Sequence, residues 1–256
     1  MGKIESFKLG SKVCNGVSDC PSGFDEENCG CDGITKPVEV IILLDMSLHT
    51  WRIGSSAPKQ YRDFAKKLIE RFSVTNKKKS PHIGVFMYGD KKALVHTGHV
   101  DKGNYGFMPN VRHSKAKVLA KVKSLKYPKP KNGWTKAMPW TAAEKATKLF
   151  KTRGSKRMLV HVMSKNADKT FTEKRKKKFF SKMLLKNIKY MSIHLEEKSY
   201  HDFQNHDPVG LNFNFDRPDA LLAQDYIDDF VADICEALED KTEKIAQLKT
   251  AEVLEV

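Results

Sequence analysis

Apolar residues recur along this chain in two rhythms. Val38 to Leu44 is almost wholly apolar and β-branched, the pattern of a strand buried on both faces. Similar short runs at Ile83–Tyr88, Met158–Met163 and Ile188–Leu195 predict further strands, and Leu211–Phe215 predicts a short last one. Lys91-Lys92 marks a turn into one more strand, Ala93–His96. Between these runs the period lengthens to that of a helix. Gln60–Phe72 places Tyr61, Phe64, Leu68, Ile69 and Phe72 on one face, and Asp225–Leu238 does the same with Ile227, Phe230, Val231 and Ile234. Ser114–Leu125, Thr141–Phe150 and Phe171–Leu185 also read as helices. Strands alternating with helices imply an α/β fold: a doubly wound, mostly parallel six-stranded sheet with helices on both faces. The short link into Ala93–His96 makes that strand the one antiparallel edge.

The remaining segments are attachments to this unit. Residues 1–12 form an unstructured lead, 13–31 a small cysteine-rich segment, 36–240 the α/β domain and 241–256 a helical or disordered tail. At 256 residues and 40% hydrophobic content, the chain can fill one sizeable core. No run reaches the ~18–20 apolar residues of a membrane span.

Charge changes the picture more than composition does. The formal net charge is +15, unevenly spread. Residues 1–33 hold three lysines against six acids, and residues 216–256 hold four basic groups against twelve acids, which leaves the middle at +26. A field of that size favours polyanionic partners. Lysines cluster at Lys77-Lys78-Lys79, from Lys115 to Lys131, and at Lys174-Arg175-Lys176-Lys177-Lys178. Aromatic interleaving is sparse and no nucleic-acid motif is present, which argues against nucleic acid as the partner.

Of five cysteines, Cys14, Cys20, Cys29 and Cys31 fall within eighteen residues, while Cys235 stands near the end. Such density in a short segment points to an oxidising, extracellular compartment. Met1 to Leu9 lacks the apolar core of a signal peptide, so a secretory leader is expected outside this chain.

In open α/β sheets, ligands sit beyond the carboxyl ends of the strands. There the chain offers Asp45-Met46-Ser47-Leu48-His49, Gly133-Trp134-Thr135 and Ser164-Lys165-Asn166. With Val38–Ser47, Ile83–Asp90 and Lys156–Met163 in that order, the sequence resembles the von Willebrand factor A family, also called the integrin I-domain family. The resemblance implies an adhesion module. It also implies a crest that binds Mg²⁺ through an Asp-x-Ser-x-Ser triplet, a distant Thr and a second Asp, as a hard cation wanting six oxygens requires. Asp45, Ser47 and Thr135 match that pattern; His49 replaces the third triplet oxygen and Lys165 the second Asp. An ammonium at ~5 Å from Asp45 is worth ~3 kcal/mol at an effective dielectric near 20, enough to compete for the cation's place. A degenerate, metal-free crest follows, with no Mg²⁺ and no required cofactor. The alternative is Mg²⁺-dependent adhesion, with Asp168 or water supplying the missing oxygen.

Val13 to Cys29 is similar to the second half of a low-density-lipoprotein-receptor class A module. That resemblance implies a Cys14–Cys29 disulfide and a Ca²⁺ site using side-chain oxygens of Asn15, Asp19, Asp25 and Glu26. Asn15 stands where the family has Asp, and the first half with its three cysteines is missing, which leaves Cys20 without its family partner. Extracellular A domains often join their ends by a disulfide, which here implies Cys31–Cys235. Closing so long a loop stabilises by roughly 4–5 kcal/mol in the chain-entropy model. No glycine-rich phosphate loop follows the first strand and no nucleophile elbow is present. The expectation is a secreted, non-enzymatic module that binds extracellular matrix protein or sulfated, acidic polysaccharide through its basic faces.

Overall fold

The computed structural model describes residues 37–72, 74, 81–89, 114–125, 137–150, 154–165, 171–195, 200–201 and 210–238. Five strands make one sheet: β1 (Val38–Asp45), β2 (His82–Tyr88), β3 (Lys156–Met163), β4 (Ile188–His194) and β5 (Leu211–Asn214). Their order is β2-β1-β3-β4-β5, and every pairing is parallel. The antiparallel edge strand expected at Ala93–His96 lies outside the described residues, as do the cysteine-rich segment and the tail.

The helices are α1 (Leu48–Ile53), α2 (Ala57–Glu70), α3 (Lys115–Ser124), α4 (Pro139–Ala146), α5 (Glu173–Leu185) and α6 (Gln224–Leu238), with a 3-10 turn at Pro218–Leu222. Local chemistry sets several boundaries. Pro58 and Pro139 sit in first turns, where a missing N–H costs nothing. The hydroxyl of Ser114 accepts from Lys117 N at 3.4 Å and opens α3. The expected helix at Thr141–Phe150 starts earlier, at Pro139, and gives way after Ala146 to hydrogen-bonded turns that return Phe150 to the core.

Because neighbouring strand residues face opposite ways, β1 feeds two cores. Val38, Val40, Ile42 and Leu44 pack with α2, α3 and α6, where Phe64 meets Phe230 edge-on at 5.6 Å. Ile41 and Leu43 pack with α4 and α5 around Trp140, Phe171 and Phe179. Glu39 breaks the apolar run of β1 yet is fully buried. Ser155 Oγ donates to its carboxylate at 2.8 Å, and Arg157 Nε lies 3.7 Å away. Cys235 on α6 is disulfide-bonded; Cys31, its expected partner, lies outside the described residues.

Candidate functional site at the sheet crest

The sheet order reverses between β1 and β3: the chain winds from β1 out to β2, then returns to β3 on the other side. Diverging connections at such a switch point open a crevice beyond the strand ends. Asp45, the last residue of β1, sits there fully buried. Its Oδ1 accepts from Ser47 N at 2.8 Å and its Oδ2 from Ser164 N at 3.1 Å, so the carboxylate ties the ends of β1 and β3 together. Ser47, also buried, is the N-cap of α1, and its hydroxyl accepts from His49 N at 3.2 Å. Burial raises the carboxyl pKa of Asp45, while the bonds from Ser47 and Ser164 pull it the other way.

Beneath Asp45 lies a chain of buried hydroxyls whose proton order is fixed. Thr50 Oγ1 donates to the Asp45 carbonyl at 2.8 Å and lies 2.5 Å from Ser164 Oγ. Having spent its one proton, Thr50 accepts from Ser164. Ser164 in turn accepts from the Tyr61 hydroxyl at 2.9 Å. The relay therefore runs Tyr61, Ser164, Thr50, Asp45 carbonyl. Burial drives the Tyr61 phenol well above its ordinary pKa, and the nearby Asp45 charge adds to the effect. Tyr88, likewise raised by burial, donates to the Val162 carbonyl at 3.2 Å beside the same strand ends.

Of the residues expected at the crest, the structure brings Asp45 and Ser47 together, with His49 half-buried in α1 and Lys165 half-buried directly after Ser164. Thr135 and Asp168 lie outside the described residues, as do Asn15, Asp19, Asp25, Glu26, Cys14, Cys29 and Lys77–Lys79. Among the described residues, no group of three or more His, Cys, Asp or Glu comes together. Thr50, Tyr61 and Ser164 were not foreseen as a unit. Each is an ordinary hydroxyl in sequence, and Thr50 and Ser164 are 114 positions apart.

The basic run on α5 divides in two. Lys174, Lys177 and Lys178 are exposed. Lys176 is buried instead, its ammonium 2.8 Å from Glu173 and 5.2 Å from the centre of the Trp140 ring. Arg175 pairs with Glu144 of α4 at 2.5 Å and lies over Phe171. Two of the five residues expected to face a polyanion therefore fasten α5 to the core. Lys176 shares the inward stripe of Phe179 and Met183, three and seven residues on, and that spacing is the signal that could have found it.

No protein-family model matches the chain, and no curated protein sequence matches it. Among solved structures, proximal thread matrix protein 1 from the mussel byssus is similar with a TM-score of 0.55 at 11% identity, covering 79% of this chain and 48% of that one. The same mussel protein with a zinc-occupied MIDAS motif gives 0.47 at 12% identity, over 62% of this chain and 38% of that one. Manganese-loaded TRAP protein from Plasmodium vivax gives 0.46 at 13% identity, over 75% and 74%. The chain thus spans less than half the length of the mussel protein. At these identities the likeness concerns the fold: a parallel sheet flanked by helices, of the von Willebrand A-like type. The class A module expected at 13–31 is not supported by these matches.

Proposed function

We propose that this chain is an extracellular, non-enzymatic adhesion module that binds matrix proteins or acidic polysaccharide through its basic faces. The observation that carries the reading is the outer surface of α3 and α5. Lys117 and Lys123 on α3, with Lys174, Lys177, Lys178 and Lys182 on α5, are exposed, and α3 contains no acid. Glu173 on α5 and Glu144 on α4 are already bonded to Lys176 and Arg175. A von Willebrand A-like fold shared with a mussel matrix protein is consistent with this role. So is the crest chemistry: Ser164 and Thr50 hydrogen-bond each other, Tyr61 and a backbone carbonyl rather than an imidazole base, an arrangement that activates no nucleophile.

The crest in this reading works without a metal. A dication of this type wants six oxygens. The described residues offer one carboxylate, already bonded through both oxygens, and one capping hydroxyl, with His49 and Lys165 at the substituted positions. Retention on immobilised heparin that falls steeply between low and high salt is the expected result; elution in the void at low salt removes the polyanion reading. Magnesium-dependent adhesion is the rival. Calorimetric titration with Mg²⁺ or Mn²⁺ is expected to give no heat, and saturable binding that Asp45→Ala abolishes would favour the rival.

A further inference from the structure

Two helices on opposite layers carry complementary stripes. On α5 the outward face holds Lys174, Lys178 and Lys182, with Leu185 at its carboxyl end. On α6 Asp229 and Glu236 are exposed and Asp233 between them is half-buried, with Tyr226 near the amino end of the helix. Leu185 is 86% exposed, and Tyr226, packed edge-on against Phe215 at 5.1 Å, is 45% exposed, so each charged stripe ends in a large side chain with surface still open to water. Helix α6 contains five acids and no basic residue.

The stripes also match in spacing. Counting back from Leu185, lysines stand three, seven and eleven residues away; counting forward from Tyr226, acids stand three, seven and ten residues away. Both series follow the i, i+3, i+4 rule that puts residues on one helical face. Laid antiparallel, the helices set Leu185 against Tyr226, Lys182 against Asp229, Lys178 against Asp233 and Lys174 against Glu236. The two stripes are of nearly equal length, about 16 Å on α5 and about 15 Å on α6 at 1.5 Å per residue.

We infer that the chain associates with further copies of itself, the basic face of α5 in one copy docking antiparallel on the acidic face of α6 in the next. Helix α5 packs on the sheet face of Ile41 and Leu43, and α6 on the opposite face of Ile42 and Leu44. One neighbour cannot reach both faces of a rigid layer. The contact is therefore heterologous and builds a ring or an open chain of three or more copies rather than a two-fold dimer.

The local electrostatics support the contact. Lys174, Lys178 and Lys182 enter no ion pair among the described residues, whereas Arg175 and Lys176 are committed to Glu144 and Glu173. On α6, Asp228 is engaged with Arg71 and Gln224 away from the stripe. Burial first, and then the charges of Asp229 and Glu236, raise the carboxyl pKa of Asp233, and an incoming lysine row would relieve the like-charge part. The net charge of +15 opposes association at long range, but screening over ~10 Å at 0.1 M salt leaves close pairs dominant. A single helix pair is a small interface, so the association is weak and concentration-dependent.

Sedimentation velocity of the full chain, over micromolar to submillimolar concentrations, tests this. At 0.1 M salt the average mass should climb past two copies with concentration, and 1 M salt or added heparin should reverse it. Lys182→Glu and Asp229→Lys, both at exposed positions, should each weaken association at least about tenfold. An equimolar mixture of the two variants should recover it, because each supplies the partner the other needs. That rescue also proves both variants folded. A monomer at every concentration overturns the inference, as do a mass that stops at two, single variants that associate like the wild type, and a mixture that stays monomeric. If Lys182→Glu abolishes heparin retention but leaves self-association unchanged, α5 is a polyanion face only. Self-association without heparin retention removes the polysaccharide reading and leaves this one standing.

Discussion

At the crest, single hydroxyls differ in what they leave behind when removed. Tyr61→Phe deletes the first donor of the relay and leaves Ser164 still donating to Thr50, so its cost should be about 1 kcal/mol. Ser164→Ala strands the fully buried Tyr61 hydroxyl and should cost more, about 1–3 kcal/mol. Denaturant unfolding of both variants and the double variant checks this: the double should cost less than the sum of the singles. Equal single costs would mean that the proton order is not as drawn. Asp45 adds a pH signature. Its folded pKa is raised above the unfolded value, so the folded state holds the proton more tightly. That contribution is fully present below about pH 3.8 and is lost as pH rises through the folded pKa. Asp45→Asn, which cannot ionise, should therefore gain on the wild type as pH rises from 4 toward neutrality. Melting temperatures measured in parallel read the difference, and a gain in the opposite direction would mean that the bonds from Ser47 and Ser164 outweigh burial.

Elements were legible in the sequence where a period ran long enough. The strands β1 to β4 and the helices α2, α3, α5 and α6 stand within a few residues of their expected bounds, because each shows a clear apolar run or helical face. Helix α1 was missed. Six residues give no readable period, and what starts it is one cap, Ser47, which the sequence presents first as a crest residue. Asp45, Ser47 and Ser164 were legible as crest residues because they stand at the ends of strands; the part of Tyr61 was not, because its hydroxyl meets Ser164 only through the packing of α2, 103 positions away in the chain. The run 174–178 hid a division that only the helix can make. Lys176→Ala should destabilise by about 1–3 kcal/mol, through loss of packing on Trp140 and of the bond to Glu173. Lys177→Ala, one residue on and exposed, should stay within about 0.5 kcal/mol. Thermal or chemical unfolding separates the two. Equal effects would mean that Lys176 is surface charge after all.

Across the whole molecule, two imidazoles make the sheet sensitive to acid. His161 lies fully buried in the central strand β3, with Nδ1 at 2.8 Å from the Tyr190 hydroxyl and the Tyr88 ring edge-on at 4.9 Å. His194 ends β4, its Nε2 2.7 Å from Ser192 Oγ, and Ser192 reaches Asn212 of β5. Burial is the main cause in both cases: it depresses the pKa of His161 well below 6.5 and that of His194 to about 3. Below pH 6.5 the unfolded chain takes up protons that the folded sheet refuses, so stability is full above 6.5 and is lost as pH falls. Two such groups give a slope approaching about 2.7 kcal/mol per pH unit at its steepest. Asp45 works against them in the range just above pH 3.8, where the folded state holds an extra proton. Loss of stability on acidification should therefore be gentler in that range than the two histidines alone would make it. Stability measured against pH for the wild type, His161→Gln and His194→Gln resolves the terms, each variant flattening the slope by about one proton. The strands at risk, β3 and β4, support Ser164 at the crest and Ile188 and Tyr190 beneath α5, so acid that opens the sheet should also release a bound polyanion. Release that tracks unfolding between pH 6.5 and 4 is expected. Release that precedes it would place the sensitive group on the binding face instead, outside this pair of histidines.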